Sequence, residues 1–303
     1  MSQRTVLLVT HTGRRAAVAA ARELAGRLAE AGLDVRVLEG EAAAIGCSAV
    51  TVVPADAQAG EGAELVVALG GDGTLLRAAE FARPANAALL GVNLGHVGFL
   101  AEAERSDLES TVERILQSSY DVEERLTLDV VVRRGERVVV QNWALNDATV
   151  EKASRQRMLD LLVEVDGRPL SRWSGDGVVC ATPTGSTAYA FSAGGPVVWP
   201  SVQALLVVPI SAHALFARPL VVSPDSRVAV ELLSGAGGAI AFCDGRRTLE
   251  LAAHDRIEIS RGAHPIRLVR LTSAAFTDRL VSKFHLSVRG WRGPTEDERP
   301  AGD

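Results

Sequence analysis

The sequence predicts a protein of two domains, a parallel α/β domain and a β-sandwich-like domain. Up to about residue 125, short apolar runs alternate with segments of helical spacing, which predicts a parallel sheet with helices on both faces. From residue 126, short strand-like segments are separated by turn signals such as Asp166-Gly167 and Asp244-Gly245, which favours an antiparallel layered β domain. With 303 residues, the chain is long enough for each domain to have its own core.

The predicted elements of the α/β domain follow from apolar runs and helical spacing. The alanine-rich segment 14–31 places Leu24 and Leu28 at helical spacing, whereas the segment 41–62 is weakly patterned and contains Pro54. We therefore expect only loops and one short strand over 41–62. In order, the predicted elements are a strand over 5–10, a helix over 14–31, strands over 34–38 and 65–69, a helix that ends before Pro84, a strand over 87–92 and a helix over 106–118.

In the β domain the period of the apolar residues changes from helical to alternating, beginning at Leu126. No convincing helix is predicted between its strands. The predicted strands cover residues 126–133, 137–141, 158–165, 205–210, 227–233, 239–243, 256–260 and 266–271.

We expect the β domain to be inserted in the α/β domain. The segment 277–291 follows the last predicted strand and places Leu280 and Phe284 on one helical face. A helix at this position would pack back on the first domain. This assigns residues 1–125 and 275–303 to the α/β domain and residues 126–274 to the β domain.

Composition limits the classes of partner. The net charge of −5 gives no basic field for nucleic acid, and no apolar run reaches the length of about 18 residues that a membrane helix needs. No secretory leader is recognisable, and the three cysteines, Cys47, Cys180 and Cys243, are far apart. We therefore expect a cytoplasmic protein without a cysteine-based metal site. Neither lysine, Lys152 or Lys283, follows a glycine loop, which excludes a Walker-type nucleotide loop.

The segment 70–74, Gly-Gly-Asp-Gly-Thr, lies between a predicted strand and a predicted helix. Glycines there let the backbone take positive φ and approach a ligand, and Thr74 is the predicted N-cap of the helix. Free N–H groups at a helix start favour phosphate, so Gly71, Gly73 and Thr74 are candidate phosphate contacts. The carboxylate of Asp72 would repel phosphate unless it holds a metal or accepts a proton. Asp72 is therefore the candidate catalytic residue, and the alternative is a plain turn in which it only caps the helix.

Two further polar clusters are candidates for ligand binding. Four hydroxyl residues lie within six positions in segment 182–187, and hydroxyls can both donate and accept hydrogen bonds to sugars, bases or phosphate. Asn146 beside Asp147 combines an amide with a carboxylate, which suits adenine and ribose. The alternatives are local turns in the first case and alternating strand faces in the second. A second glycine-framed aspartate, Asp176, makes these alternatives less attractive.

Together these stretches resemble the NAD kinase family. The Gly-Gly-Asp-Gly-Thr segment alone is shared with diacylglycerol-type lipid kinases and 6-phosphofructokinases, whereas segment 182–189 is far more specific. The similarity covers most of residues 65–247 and is carried by segments 70–74, 93–100, 146–147, 175–196, 209–222 and 244–245.

The resemblance implies transfer of a terminal phosphate from ATP or polyphosphate to the 2′-hydroxyl of the adenosine ribose of NAD, giving NADP. It implies an active site in the cleft between the two domains, Asp72 as the catalytic carboxylate, and a homodimer or homotetramer. Because phosphoryl transfer needs charge neutralisation and no Walker lysine is present, we expect Mg²⁺ as the cofactor, with no protein metal ligand assigned. The family commonly has glutamate where Asp147 stands, so the carboxylate here is one methylene shorter. The residues implied in nucleotide binding are Gly71, Gly73, Thr74, Asn93, Phe99, Asn146, Asp147, Asp176, Thr184, Thr187, Ala188, Tyr189 and Ser192.

Two other functions fit parts of the pattern. A lipid kinase could use the same glycine loop, but it would need an apolar lipid pocket, and the hydroxyl-rich segment 182–189 favours a polar substrate. A nucleotide-binding sensor without turnover would not need Asp72 in a phosphate-facing position.

Overall fold

The computed structural model describes residues 3–94, 98–100, 103–104, 108–155, 157–234, 238–271 and 275–288. Within them, the chain forms two compact units. One falls in Met1–Val122 and Val269–Asp303, and the other falls in Glu123–Leu268, so the second unit interrupts the first along the chain. Both boundaries lie a few residues earlier than the predicted ones.

Strands and helices have the following bounds. Up to residue 125 the elements are β1 (Thr5–Thr10), α1 (Arg15–Glu30), β2 (Asp34–Leu38), α2 (Glu39–Ile45), β3 (Thr51–Val53), β4 (Leu65–Gly70), α3 (Asp72–Ala82), β5 (Ala88–Asn93), β6 (Ala103–Glu104), α4 (Leu108–Gln117) and β7 (Asp121–Arg125). After it they are β8 (Leu128–Arg134), β9 (Arg137–Ala144), β10 (Asp147–Lys152), β11 (Leu159–Val165), β12 (Arg168–Gly175), β13 (Gly177–Ala181), a 3₁₀ helix (Thr184–Thr187), α5 (Tyr189–Ser192), β14 (Leu205–Ile210), β15 (Leu220–Val222), β16 (Val228–Ser234), β17 (Ala239–Cys243), β18 (Arg247–Leu251), β19 (Asp255–Arg261), β20 (Ile266–Arg270) and α6 (Phe276–Phe284).

The sheet of the first unit has the order β3-β2-β1-β4-β5-β20-β7, with β6 paired to β5. Strands β1 to β5 pair in parallel, as predicted. The order reverses between β1 and β4, because the chain first adds strands on one side of β1 and then on the other. In such sheets ligands bind beyond the carboxyl ends of the strands at this reversal. Thr10 ends β1 there, and Gly70 ends β4.

The core of this unit consists of its parallel strands and the helices packed on them. Every residue of β1, β4 and β5 is buried, which is typical of strands covered on both faces. From α1, the side chains of Leu24 and Leu28 are fully buried in the same apolar cluster as Ile115 of α4. Burial of each such side chain contributes about 1.5–3 kcal/mol.

The second unit is a sandwich of two antiparallel sheets, which confirms the predicted fold class. One sheet has the order β15-β14-β13-β10-β17-β18 and the other β12-β11-β16-β19-β8-β9. A single apolar cluster contains Val150 and Val178 from the first sheet together with Val130, Leu161 and Val230 from the second. The two sheets therefore share one core.

Three sequence predictions about elements are wrong. The segment 41–62 contains most of α2 in addition to a short strand. The second unit contains α5 and the 3₁₀ helix, where no helix was expected. Strand β20 was predicted to belong wholly to the β domain, but the boundary between the units falls within it and it pairs in the sheet of the first unit. No helix within the described residues has the length and apolarity needed to cross a membrane.

Candidate active site

The glycine loop joins β4 directly to α3. Helix α3 begins at Asp72 and its N-cap is Gly71, so the prediction of Thr74 as N-cap is wrong. Thr74 already donates its backbone N–H to the oxygen of Gly71 at 2.9 Å, as a residue inside the first turn does. Its side chain is buried and packs on Gly70, where an added Cβ would lie 2.9 Å from the Thr74 Cβ. Close packing therefore explains Gly70.

Positive φ does not explain this loop, contrary to the sequence expectation. Among the described glycines, those with positive φ do not include Gly70, Gly71 or Gly73, and the φ of Gly71 is −98°. Gly73 is exposed, and nothing lies within 4 Å of where its Cβ would stand. The loop thus leaves the N–H groups at the start of α3 open to a ligand at the carboxyl end of β4.

Asp72 is the first residue of α3 and is half-buried. Its Oδ1 is shielded from solvent and has no hydrogen-bond partner in the described part of the chain. Gly98 lies against the same carboxyl group, since an added Cβ there would overlap Oδ1 and lie 3.1 Å from Cγ. A buried carboxylate oxygen without a partner is costly, so it is expected to meet a proton donor or a cation when a ligand binds.

Two arginines near the loop differ in their surroundings. Arg77 donates to the backbone oxygen of Thr10 at 2.8 Å and pairs with Glu41. By contrast, the exposed side chain of Arg14 has no hydrogen-bond or ion-pair partner within the described ranges. Its Nη1 lies 4.0 Å from where a Cβ on Gly71 would stand. Arg14 is therefore an available cation beside the glycine loop, a role that sequence reasoning had not assigned to it.

Glu41 fixes the carboxyl end of β1 beside the loop. Its Oε2 accepts the N–H of Thr10 at 2.6 Å, and only 3% of the residue is exposed. Burial raises the pKa of Glu41, while the charge of Arg77 opposes the increase.

Asn93 and Phe99 are the two other predicted site residues of this unit, and both are buried. Asn93 ends β5 next to Gly70 of β4 and is buried. Phe99 is also buried, with its ring between those of Phe276 and Phe284 at centroid distances of 6.0 and 5.7 Å. The segment 95–97 between them lies outside the described residues.

The second unit contains a pocket of about 390 Å³. Four of its lining residues were predicted from the sequence, namely Asn146, Asp147, Ala188 and Tyr189. The complete lining is Asn146, Asp147, Thr149, Glu151, Ala188, Tyr189, Phe242, Asp244 and Gly245.

Asp244 fixes the segment that carries the amide and carboxyl groups of this pocket. Its carboxylate accepts the backbone N–H groups of Leu145 at 3.0 Å and Asn146 at 2.7 Å, and Arg247 donates to it at 2.7 Å. Burial raises the pKa of Asp244, and these donors oppose the increase. As a result Asn146 is held at the pocket with an Oδ1 that has no partner among the described residues.

The hydroxyl-rich loop is fastened to the same segment. Thr182 donates its hydroxyl to the oxygen of Leu145 at 2.6 Å and accepts the N–H of Gly185 at 3.1 Å. Gly185 lies so close to Asn146 that an added Cβ would be 2.8 Å from its Cα. The hydroxyl of Thr187 donates a hydrogen bond to the backbone oxygen of Thr184 at 3.4 Å. Part of this hydroxyl cluster is thus structural.

Not all predicted NAD contacts line the pocket. Thr184, Thr187, Ser192 and Asp176 are outside its lining. Asp176 instead forms an ion pair with Lys152, with Nζ and Oδ1 2.5 Å apart.

The charges in the pocket are coupled. Burial, together with the negative charges of Asp244 and Glu151, raises the pKa of Asp147 to about 7. Glu151 accepts hydrogen bonds from the hydroxyls of Thr149 at 2.7 Å and Tyr189 at 3.4 Å. Burial and Glu151 raise the pKa of Tyr189. The pocket therefore offers an amide, carboxyls and hydroxyls, which suit the hydroxyls of a sugar and the polar edge of a base.

Thr149 and Glu151 were missed by sequence reasoning, although a signal was available. Both lie on β10 at alternate positions after Asp147. Side chains at alternate positions of a strand share a face, so a polar Asp147 predicts further polar neighbours two and four residues on.

Two family models match this chain, one in each half. The family model described as the ATP-NAD kinase N-terminal domain matches residues 6–120, and the model of the ATP-NAD kinase C-terminal domain matches residues 145–271. An NAD kinase of Thermobifida fusca is 59% identical, and the match covers 99% of this chain and 95% of the relative. An NAD kinase 2 of Streptomyces avermitilis is 57% identical, and the match covers 96% of this chain and 97% of the relative.

Solved structures show the same fold. Yeast NADH kinase, crystallised with NADH, has a TM-score of 0.88 at 23% identity and covers 97% of this chain and 91% of its own. An NAD kinase from Archaeoglobus fulgidus in complex with ATP has a TM-score of 0.70 at 25% identity, over 94% and 99% of the two chains. With its sequence, its fold and both family models in agreement, this chain belongs to the NAD kinase family.

Proposed function

We propose that this protein is an NAD kinase that phosphorylates the 2′-hydroxyl of the adenosine ribose of NAD and gives NADP. The observation that carries the proposal is Asp72, whose buried, unpartnered Oδ1 stands at the start of α3 in a chain of this family. The names of the relatives and the NADH and ATP of the two solved structures support NAD and ATP as substrates.

In this mechanism Asp72 is the general base. Its carboxylate orients the acceptor hydroxyl and takes the proton as the hydroxyl oxygen attacks the terminal phosphorus of the donor. The bond from that phosphorus to the leaving phosphate oxygen breaks as the new P–O bond forms. The open N–H groups at the start of α3 and the guanidinium of Arg14 stabilise the negative charge of the donor.

The pocket of the second unit holds the adenosine part of NAD in this proposal. Asn146 and Asp147 face it, with Tyr189 and Ala188 in the same lining. The unpartnered Oδ1 of Asn146 supports this role, because an adenine amino group or a ribose hydroxyl would satisfy it.

Magnesium is the proposed cofactor. The described residues contain no group of three or more acidic, histidine or cysteine side chains arranged for a metal. That fits Mg²⁺ bound mainly to phosphates, which needs only one or two protein carboxylates. Asp72, with a free Oδ1, is the carboxylate that would hold it if it is not the base. When bound, the ion would neutralise charge on the transferring phosphoryl group.

A turnover assay tests the proposed function. The protein is incubated with NAD, Mg²⁺ and either ATP, another nucleoside triphosphate or polyphosphate, and NADP is read with an NADP-specific dehydrogenase. We expect NADP with at least one donor and none without Mg²⁺. Binding of NAD without turnover by any donor would instead indicate a nucleotide sensor.

We also propose a homo-oligomeric state, from the family resemblance, and a cytoplasmic location, from the wide spacing of the three cysteines in the sequence. Fractionation of the native cells with an antibody would test the location, and recovery in the membrane or secreted fraction would contradict it.

A further inference from the structure

The carboxyl group of Asp72 is bounded by the backbone of Gly98. The position of a Cβ on Gly98 would lie 3.1 Å from the Asp72 Cγ and 3.2 Å from Oδ2. No side chain therefore fits between Gly98 and the carboxylate. The orientation of Asp72 depends on where the backbone of segment 98–100 is held.

Helix α6 holds that segment through the next residue. Arg279 donates from Nη1 to the backbone oxygen of Phe99 at 3.0 Å, and only 8% of Arg279 is exposed. The ring of Phe99 packs at 5.7 Å from that of Phe284 and at 6.0 Å from that of Phe276, both on α6. A backbone hydrogen bond and two ring contacts thus fix Phe99 beside Gly98.

The two ends of this contact are far apart in sequence. Arg279 and Phe99 are separated by 180 positions, and the entire second unit lies between them in the chain. The contact that holds Gly98 against Asp72 therefore forms only after the chain has returned to the first unit.

We propose that Arg279 is a positioning residue for Asp72, acting through Phe99 and Gly98 together with the rings of Phe276 and Phe284. It holds Gly98 against the carboxyl group, so that Asp72 is kept in one orientation for the acceptor hydroxyl. The inference rests on the proposed function only in the role of Asp72 as base. Displacement of a catalytic group by about 1 Å can cost about 100-fold in rate, even when the substituted residue is remote.

Steady-state kinetics test the catalytic part. Arg279→Met removes the donor but keeps an apolar stem, and Lys283→Met removes an exposed cation from the same helix as the matched control. We expect Arg279→Met to lower kcat by about 10- to 100-fold with the Kd for NAD unchanged, and the control to retain the original kcat. An unchanged kcat in Arg279→Met, or an equal loss in the control, would overturn the proposal.

A double-mutant cycle separates positioning from general loss of structure. If Arg279 acts through Asp72, Arg279→Met should cost little in an Asp72→Asn background, because the group that it positions has already lost its function. If Arg279→Met lowers kcat by the same factor in both backgrounds, Arg279 acts independently of Asp72, which would contradict the inference.

Hydrogen exchange tests the contact without relying on activity. We expect faster amide exchange in a peptide covering residues 98–100 for Arg279→Met than for the unsubstituted protein and for Lys283→Met. Unchanged exchange would refute the proposal that Arg279 holds segment 98–100 in place, even if the protein is an active kinase. Faster exchange in a protein without turnover would support that proposal and count against the proposed function instead. If Arg279→Met does not fold, Phe284→Leu removes one ring contact and should show the same faster exchange.

Discussion

At the scale of single residues, Asp147 combines burial with two neighbouring negative charges. Its pKa is raised to about 7, whereas aspartate in an unfolded chain titrates near 3.9. Between these values the folded state binds more protons than the unfolded state, so this group lowers the free energy of unfolding as the pH rises. Asp147→Asn removes the contribution. We expect the Tm of the variant, relative to the unsubstituted protein, to increase from about pH 4 to about pH 8.

Asp160→Asn is the control for this pH dependence. The hydrogen bond from Ser174 lowers the pKa of Asp160, so this carboxyl is ionised in the folded and unfolded states across most of the same window. Its Tm difference from the unsubstituted protein should be flat above about pH 5. Calorimetry over the window checks both variants, and a flat difference for Asp147→Asn would contradict the raised pKa.

Arg14 gives a second prediction at this scale. A guanidinium that meets a phosphate contributes about 1.5–3 kcal/mol, because hydrogen bonds to charged groups are stronger than neutral ones. Arg14→Ala should therefore raise the KM for the phosphoryl donor about 10- to 100-fold at saturating NAD. Arg15→Ala removes an equally exposed arginine next in sequence and should leave it unchanged. Equal KM values for the two variants would exclude a donor contact by Arg14.

The sequence identifies individual residues best where chemistry and packing conflict. Asp72 could be singled out because a carboxylate in a phosphate loop would repel the phosphate unless it holds a metal or accepts a proton. Thr74 was misassigned because a threonine before a helix resembles an N-cap, while the helix begins earlier at the tightly packed Gly70-Gly71 turn. The roles of Arg14 and Glu41 could not be predicted, since their position beside the loop arises only when β1 and α2 assemble with β4.

At the scale of elements, the fastening of the hydroxyl-rich loop predicts a steric effect. A Cβ on Gly185 would lie 2.8 Å from the Cα of Asn146, where the backbone cannot yield easily. Gly185→Ala should therefore destabilise the protein by about 1–3 kcal/mol and weaken NAD binding, because it displaces Asn146.

Gly26→Ala is the matched control for that substitution. Gly26 lies inside α1 with nothing within 4 Å of its Cβ position, so alanine should stabilise the helix by up to about 1 kcal/mol. Denaturant unfolding and NAD titration of both variants give the comparison. A Gly185→Ala protein with normal stability and NAD affinity would show that the loop is not fastened in this way.

Strands formed by buried apolar runs could be predicted closely, because such runs have few other interpretations. The predicted strands over 5–10 and 205–210 match β1 and β14 in full. The strands β10, β12 and β13 were missed. In β10, polar residues of the site such as Asp147 interrupt the apolar pattern by which a strand is recognised.

At the scale of the whole molecule, the division into two folds follows from the change in apolar period near residue 125. The sheet to which β20 belongs cannot be predicted from this change, because strands of both units have the same local pattern. Which sheet accepts it is decided by its pairing partners, and no local sequence signal encodes them.

The oligomeric state is a prediction at this scale. The second unit exposes large apolar side chains, including those of Trp199, Val202, Phe216 and Val221. Together with the family resemblance, they lead us to expect a homodimer or homotetramer joined through this unit. Light scattering at micromolar concentration measures the mass directly, and a monomer would contradict the prediction.

The central claim is that Asp72 is the general base of an NAD kinase, and kinetics of Asp72→Asn alongside NAD titration test it most directly. The substitution keeps the shape of the side chain and one acceptor oxygen but removes the ability to take a proton. We predict that kcat falls by about 10²- to 10⁴-fold while the Kd for NAD changes little, and that high Mg²⁺ does not restore the rate. A variant that retains more than about a tenth of the original kcat, or that high Mg²⁺ restores, would contradict the role of Asp72 as base.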